Sequence, residues 1–272
     1  MTRIGLVQMT SGIDPAANAE VLTAAIAELA GQGARIIFTP EMSGCLDKQR
    51  ERLFETVRGE REDVVLAAVQ DAAKAHGIWV QLGSLAIRNK GADRLVNRAF
   101  LIDADGEVAL RYDKIHLFDV DLGGGERYGE SRSFEAGRYA AVADTPAGRL
   151  GLSICYDLRF PRLYDALSEA GADLLSIPAA FTQPTGKAHW HLLARARAVE
   201  NTAFVIAAAQ TGTHEDGRST YGHSLVVDPW GEVLLDMGED AGTAVCDIDL
   251  GRVADIRKRL PSRDHRTHIT PL

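Results

Sequence analysis

The chain alternates short apolar runs with longer segments of helical spacing, and it does so twice. RIGLVQM (3–9) predicts a strand. DPAANAEVLTAAIAELAGQG (14–33) predicts a helix, with Asp14 as its N-cap, Pro15 at the first helical position and glycine at its end. RIIFTP (35–40) is a β-branched run stopped by proline. REDVVLAAVQDAAKAHG (61–77) has helical spacing at Val64, Val65, Ala68 and Ala72, and IWVQLGS (78–84) is a strand again. NRAFLIDADGEVALRYDK (97–114) predicts a hairpin turning at Asp105-Gly106.

The order then repeats. RLGLSICY (149–156) is a strand, Pro161 opens a helix that runs to Gly171, and DLLSIP (173–178) is a second strand stopped by proline. A helix over about 186–201 precedes the strand AFVIAAA (203–209). HSLVVDPWGEVLLDMG (223–238) is a second hairpin, whose DPWGEV echoes DADGEV at 103–108. TAVCDIDL (243–250) adds a strand, and 259–272 reads as an extended tail along the surface or a partner.

Strands this continuously apolar are covered on both faces. Two similar units then imply two similar layers. The expected architecture is an α/β four-layer α-β-β-α sandwich with two mixed sheets and internal pseudo-two-fold symmetry, formed by a single domain over 1–272. A three-layer fold around a single sheet is the alternative that the pattern leaves open.

Composition narrows the function classes. With 46% hydrophobic and 25% charged residues the chain can build a core, which excludes disorder. A formal charge of −8 argues against a nucleic-acid or anionic-membrane binder, which would present a basic face. The apolar start is too short for a signal segment, and no run approaches the ~18 apolar residues of a membrane span. Cys45, Cys155 and Cys246 are widely spaced, which suggests neither a disulfide framework nor a C-x-x-C metal site. A cytoplasmic protein is expected.

Sites in α/β sheets collect at the carboxyl ends of strands. Glu41 follows the 35–40 run, Lys114 ends the first hairpin and Cys155 ends the 149–154 strand, so all three could share a cleft. Cys155 is either a small buried hydrophobe or a nucleophile whose proton something removes. The Tyr156 N–H just beyond it could hold an oxyanion. Ser153 lacks the second glycine of a G-x-S-x-G elbow. Glu41 is a candidate general base, against a surface-loop acid. Lys114 could stabilise an oxyanion or a thiolate, and Glu130 could orient it or a substrate amide; each could equally point to solvent. A Cys–His hydrolase using His116 or His223 is a rival arrangement. In HWH (189–191), His189 and His191 sit two apart on a helix and face away from each other, so no metal site is expected there.

TPE, YDKIHLFDVD, GES and SICYDLRFPRLYDAL resemble the carbon–nitrogen hydrolases of the nitrilase superfamily. So do IPAAFTQPTGKAHWHLLARARAVENTAFVIAAAQTGTH and YGHSLVVDPWGEV, and the resemblance runs from the first strand to about residue 260. It implies the four-layer sandwich and a Glu–Lys–Cys triad: Glu41 as base, Lys114 at the oxyanion and Cys155 as nucleophile, with Glu130 as an additional glutamate. It further implies hydrolysis of a linear amide through a thioester, no metal or organic cofactor, and a homodimer or higher homo-oligomer. The segments around PAAFT and AAAQTGTH are most similar to the deaminated glutathione amidase branch, although PAAFT replaces its usual PSAFT and the DLGGGERYGES loop has its own glycine run. An omega-amidase acting on 2-oxoglutaramate and an N-carbamoyl amide hydrolase are the alternatives, and a catalytically silent scaffold is the rival from another class. An acidic 2-oxo amide would need cations for its carboxylates. Arg159 is the expected one, as an alternative to a structural ion pair. Phe181 and Thr182 are expected to line the pocket, and His189 to line it or pack.

Overall fold

The first half of the chain lays down β1 (Thr2–Gln8), α1 (Pro15–Gly31), β2 (Ile36–Phe38), the short α2 (Arg50–Thr56), α3 (Val64–His76), β3 (Trp79–Arg88), β4 (Leu95–Ile102) and β5 (Val108–Asp113). A connecting stretch carries β6 (Asp119–Asp121), β7 (Arg127–Gly129) and β8 (Phe134–Glu135). The second half begins with β9 (Ala141–Thr145), β10 (Gly148–Leu152), α4 (Pro161–Glu169), β11 (Leu174–Ser176), α5 (Gln183–Asn201) and β12 (Phe204–Ala207). It ends with β13 (Thr211–Thr213), β14 (Ser219–Tyr221), β15 (Leu225–Val227), β16 (Val233–Asp236), β17 (Gly242–Ile248) and α6 (Gly251–Arg259). This computed structural model describes residues 1–123, 127–267 and 270.

The strands form two main sheets, which removes the single-sheet alternative. One runs β17-β1-β2-β3-β4-β5, with β8 beside β4, and the other runs β16-β15-β12-β11-β10-β9. In the first, β1, β2 and β3 are parallel and β4 and β5 return antiparallel. In the second, β10, β11 and β12 are parallel and β15 and β16 return antiparallel. Each sheet gains an antiparallel edge outside its first strand, β17 on β1 and β9 on β10.

The repeat extends to single residues. Gly5 in β1 and Gly151 in β10 both let a helix close on the sheet: a Cβ would lie 3.0 Å from Leu29 at the first and 3.2 Å from Leu167 at the second. Arg3 donates to its cross-strand partner Asp247 at 2.9 Å, and Arg149 to its partner Asp144 at 3.0 Å. At the two hairpin tips, Asp103 accepts from Asp105 N and Glu107 N, and Asp228 from Trp230 N and Glu232 N. Gly106 and Gly231 close these turns at φ 81° and 87°, a conformation that favours glycine.

Side-chain alternation gives the layering. In the first sheet Ile4, Leu6, Ile36, Phe38, Ala99 and Leu101 join the core shared with the second sheet. Their neighbours Val7, Ile37, Phe100 and Ile102 turn the other way and pack with Leu22, Ile26, Val65 and Val69 of α1 and α3. The second sheet is covered on its far side by α4 and α5 through Tyr164, Leu167, Trp190 and Ala198. Ser176 Oγ donates to Gln81 Oε1 at 2.9 Å, a buried hydrogen bond between β11 and β3.

Three departures from the predicted elements have local causes. The 149–156 run stops being a strand at Leu152, and Cys155 opens a 3-10 turn over Cys155–Arg159. α2 has 7 residues, too few for a period to stand out. α6 is charged around most of its circumference and buries only Val253 and Ile256. Beyond it, Arg266 ties the chain to Asp165 and Asn201, each at 3.0 Å, and Arg263 donates to the Ser168 carbonyl. In the tail expected over 259–272, residues 268, 269, 271 and 272 lie outside the described residues, as do 124–126 of the glycine-rich loop. Among the described residues no helix is long and apolar enough to cross a membrane.

Candidate active site

Glu41 lies just beyond β2, where the chain leaves the sheet and needs new partners for its backbone. β3 supplies them. Gly83 N donates to Thr39 Oγ1 at 2.9 Å, Ser84 Oγ accepts from Met42 N at 2.9 Å, and Ser84 O accepts from Ser43 N at 3.0 Å. The approach is so close that a Cβ at Gly83 would sit 2.0 Å from Thr39 O. From the other half, Gln210 Nε2 donates to the Glu41 carbonyl at 3.0 Å. The Glu41 carboxylate, only 4% exposed, is held by three donors: Lys114 Nζ at 2.8 Å, Asn97 Nδ2 at 3.0 Å and the Ala180 N–H at 2.9 Å.

Lys114 follows β5, with its N–H on the Asn97 carbonyl at 2.9 Å and its carbonyl accepting from Gly137 N at 2.8 Å. Gly137 is required there, since a Cβ would lie 2.0 Å from Asp113 O. The ammonium is 2% exposed and reaches both Glu41 and Glu130, the latter at 2.9 and 3.1 Å. Glu130 is itself fixed by the Phe118 N–H at 2.6 Å and by Asn97 Nδ2 at 3.2 Å. Asn97 thus touches both carboxylates. Sequence reasoning missed it, although a buried asparagine inside LVNRAFLI is a signal, because such a group requires polar partners.

Cys155 lies just beyond β10 with φ +49°, a left-handed conformation that a cysteine adopts only when its surroundings enforce it. They do so from two sides. The Cys155 N–H donates to the Pro178 carbonyl at 2.8 Å, at the end of β11. The Asp157 carboxylate, with no exposed surface, accepts from Ile154 N, from the Tyr112 hydroxyl, and from His116 through both its backbone N–H and Nδ1. Asp157 therefore fastens the cysteine turn to the segment that carries Lys114.

The charges in this nest are strongly coupled. Burial opposes the Lys114 charge, but the Glu130 and Glu41 carboxylates overcome it and hold the ammonium well above the ordinary lysine value. Burial, then the Glu41 charge beside it, pushes the Cys155 thiol well above the ordinary cysteine value, against the pull of Lys114 and the Ala180 N–H. Burial therefore favours the thiol over a preformed thiolate in the resting site, despite the nearby Lys114.

These groups open into a cavity of about 690 Å³. Of the residues expected around it, Tyr156, Phe181 and Thr182 line its wall. The Tyr156 N–H opens the 3-10 turn, where no carbonyl of its own helix can take it. Arg159 and His189 do not line the cavity. The Arg159 guanidinium lies over the Tyr156 and Phe181 rings, 3.3 Å from His189 Nδ1. The alternative bases are also elsewhere. His116 is stacked on Phe160 and bonded to Asp157, and His223 is bonded to Asp236; neither lines the cavity. Among the described residues, His191, His223 and Asp236 are the group whose ligand atoms converge enough for a metal ion, and none of the three lines the cavity.

The comparisons with known proteins agree with this geometry. The chain matches the carbon-nitrogen hydrolase family over residues 3–258. It is 36% identical to the deaminated glutathione amidase of Yersinia enterocolitica, over 99% of this chain and 94% of that protein. The crystal structure of the Caenorhabditis elegans NitFhit protein superposes with a TM-score of 0.91 at 39% identity, covering 97% of this chain and 65% of that one. An amidase from Nesterenkonia sp. AN1, in a mutant showing Michael addition of acrylamide at its active-site cysteine, superposes with a TM-score of 0.80 at 29% identity, covering 96% of this chain and 98% of that one. With the sandwich, the motifs and these likenesses spanning nearly the whole chain, it belongs to the carbon-nitrogen hydrolase family, within the nitrilase superfamily, and is a hydrolase acting on amides.

Proposed function

We propose that this chain is a thiol amidohydrolase that cleaves a linear carboxamide through a cysteine thioester, with deaminated glutathione as its substrate. The observation that carries the chemistry is the Lys114 ammonium, bonded to Glu41 at 2.8 Å and to Glu130 at 2.9 Å beside Cys155 on a cavity wall. Glu41 takes the thiol proton as Sγ bonds to the carbonyl carbon, and the oxygen becomes an oxyanion held by Lys114 and the Tyr156 N–H. As the tetrahedral centre collapses, the C–N bond breaks and the proton on Glu41 passes to the departing nitrogen. Glu41 then takes a proton from water, the hydroxide adds to the thioester, and the C–S bond breaks with the proton returning to sulfur. Glu130 keeps Lys114 charged and in line. Side chains and water account for every proton and electron pair, so the reading calls for no cofactor or metal.

The names of the relatives support deaminated glutathione over the alternatives, an omega-amidase on 2-oxoglutaramate or an N-carbamoyl amide hydrolase. The test is an amine- and ammonia-release screen with those three substrate types, read together with intact mass for an acyl group on Cys155. Release from deaminated glutathione that Cys155→Ala abolishes is the expected result. No product and no adduct with any of them would instead support a catalytically silent scaffold. Acylation retained in Glu41→Gln would favour a different base.

The same reading includes a single hydrolase domain over 1–272, a cytoplasmic location and a homodimer. The three free cysteines suit a reducing compartment. Exposed Leu192, Val199, Trp230 and Leu234 on and near α5 support pairing, which light scattering on a sizing column tests.

A further inference from the structure

The cavity is far larger than a scissile amide needs, and its walls carry cations that the reaction steps leave unused. Besides Lys114, four basic residues line it: Lys48, Arg50, Arg127 and Arg218. Two of these are committed. Arg218 reaches the buried Asp216 carboxylate at 2.7 Å, and Arg127 pairs with Asp121 at 2.7 Å in solvent. The other two are exposed and have no carboxylate partner among the described residues.

Their positions are nevertheless built. The Lys48 N–H donates to Asp216 Oδ2 at 2.7 Å, which pins the main chain against the turn between β13 and β14. The Lys48 ammonium lies over that turn, 3.5 Å from where a Cβ on Gly217 would be. The Arg50 guanidinium lies over the Phe54 ring, 4.3 Å from its centroid, a contact that uses none of its N–H donors. Asp47, which also lines the cavity, is already taken by Arg52 at 2.5 Å. Two cations without carboxylate partners on the wall of one cavity, in a chain of formal charge −8, form a local field for anions.

We propose that Lys48 and Arg50 form a carboxylate-binding subsite that selects amides carrying an acid group away from the scissile bond. The proposal rests on the amidase reading above and takes over the role expected of Arg159. Arg50 offers a planar pair of donors to a carboxylate and Lys48 a point charge, so together they suit a dianionic amide better than its neutral counterpart. Being exposed, the pair also weakens as salt rises.

The test compares deaminated glutathione with its dimethyl ester, which keeps the amide and removes both charges. The wild-type protein is expected to prefer the dianion, with the preference falling as ionic strength increases. In K48A/R50A the ratio of kcat/KM values, dianion over diester, is expected to fall by about tenfold or more, mostly through KM, as for the loss of charge-assisted contacts. An equal loss for both compounds, or an unchanged ratio, overturns the subsite. Calorimetric binding of the dianion to Cys155→Ala protein separates recognition from chemistry. Adding K48A/R50A must weaken that binding, and unchanged affinity overturns the subsite whatever the turnover. Charge-dependent binding with no turnover by the wild type would support the subsite and overturn the substrate assignment instead.

Discussion

The Tyr112 hydroxyl donates to Asp157 Oδ2 at 2.6 Å, across the seam between the strand that leads to Lys114 and the turn that carries Cys155. Both residues are buried, and burial together with the Asp157 charge holds the Tyr112 phenol well above its ordinary value, so it stays a donor. Asp157→Asn turns an amide donor toward a site made of four donors. The expected cost is about 2–4 kcal/mol in urea unfolding, with a loss of kcat, since an unmade buried hydrogen bond costs its full desolvation. Tyr112→Phe should cost about 1–2 kcal/mol, and a double-mutant cycle should find the two coupled. Additive energies would mean that the carboxylate does not join these segments.

Removing the Lys114 ammonium leaves Glu41 and Glu130 facing one another without a counter-charge and takes away an oxyanion donor. Lys114→Ala is expected to lower kcat by about 10²–10³-fold, the usual scale for one such donor. Circular dichroism should establish that the variant is folded before rates are compared. Turnover near that of the wild type would remove Lys114 from the reaction.

The raised Cys155 thiol has a signed consequence for alkylation. Its rate with iodoacetamide should be low at neutral pH and climb only above the ordinary cysteine range, because the thiolate is the reactive form. Glu41→Gln deletes a charge that pushes the thiol up, so its alkylation profile should move to lower pH while turnover falls. A wild-type profile already flat at pH 7 would contradict the resting thiol.

His214 gives stability a pH dependence. It is buried, with Nδ1 2.9 Å from Ser11 O and Nε2 2.8 Å from Thr220 Oγ1, and burial lowers its proton affinity from the ordinary 6.5. Below that value the unfolded chain takes up a proton that the folded protein resists, so stability rises with pH toward 6.5 and levels off above it. His214→Gln should flatten this limb of Tm against pH. An unchanged slope would assign it to other groups.

Much of the fold is written in periodicity. The near-continuous runs around Ile36 and Leu174, each stopped by proline, mark the parallel strands, and the Asp-x-x-Gly tips at 103–106 and 228–231 mark both hairpins. Cys155, Lys114 and Glu41 were legible because they stand where apolar runs end. Asn97 and Asp157 were not, since their partners lie 56 and 45 residues away, respectively, and spacing along the chain carries no trace of such pairs. Arg159 follows Cys155 by four residues, and the 3-10 turn between them sets its guanidinium 5.8 Å from the centroid of the Tyr156 ring, a contact that sequence spacing does not reveal.

The pairing of β1 with β17 makes this protein slow to finish on the ribosome. One side of β1 can meet β2 early, but its other side waits for a strand about 240 residues later, roughly 10–50 s at ordinary elongation rates. During that interval a buried, apolar strand offers an open row of amides and carbonyls to any passing chain. Expression yield should therefore depend on chaperone supply and on the translation speed of the last third of the message.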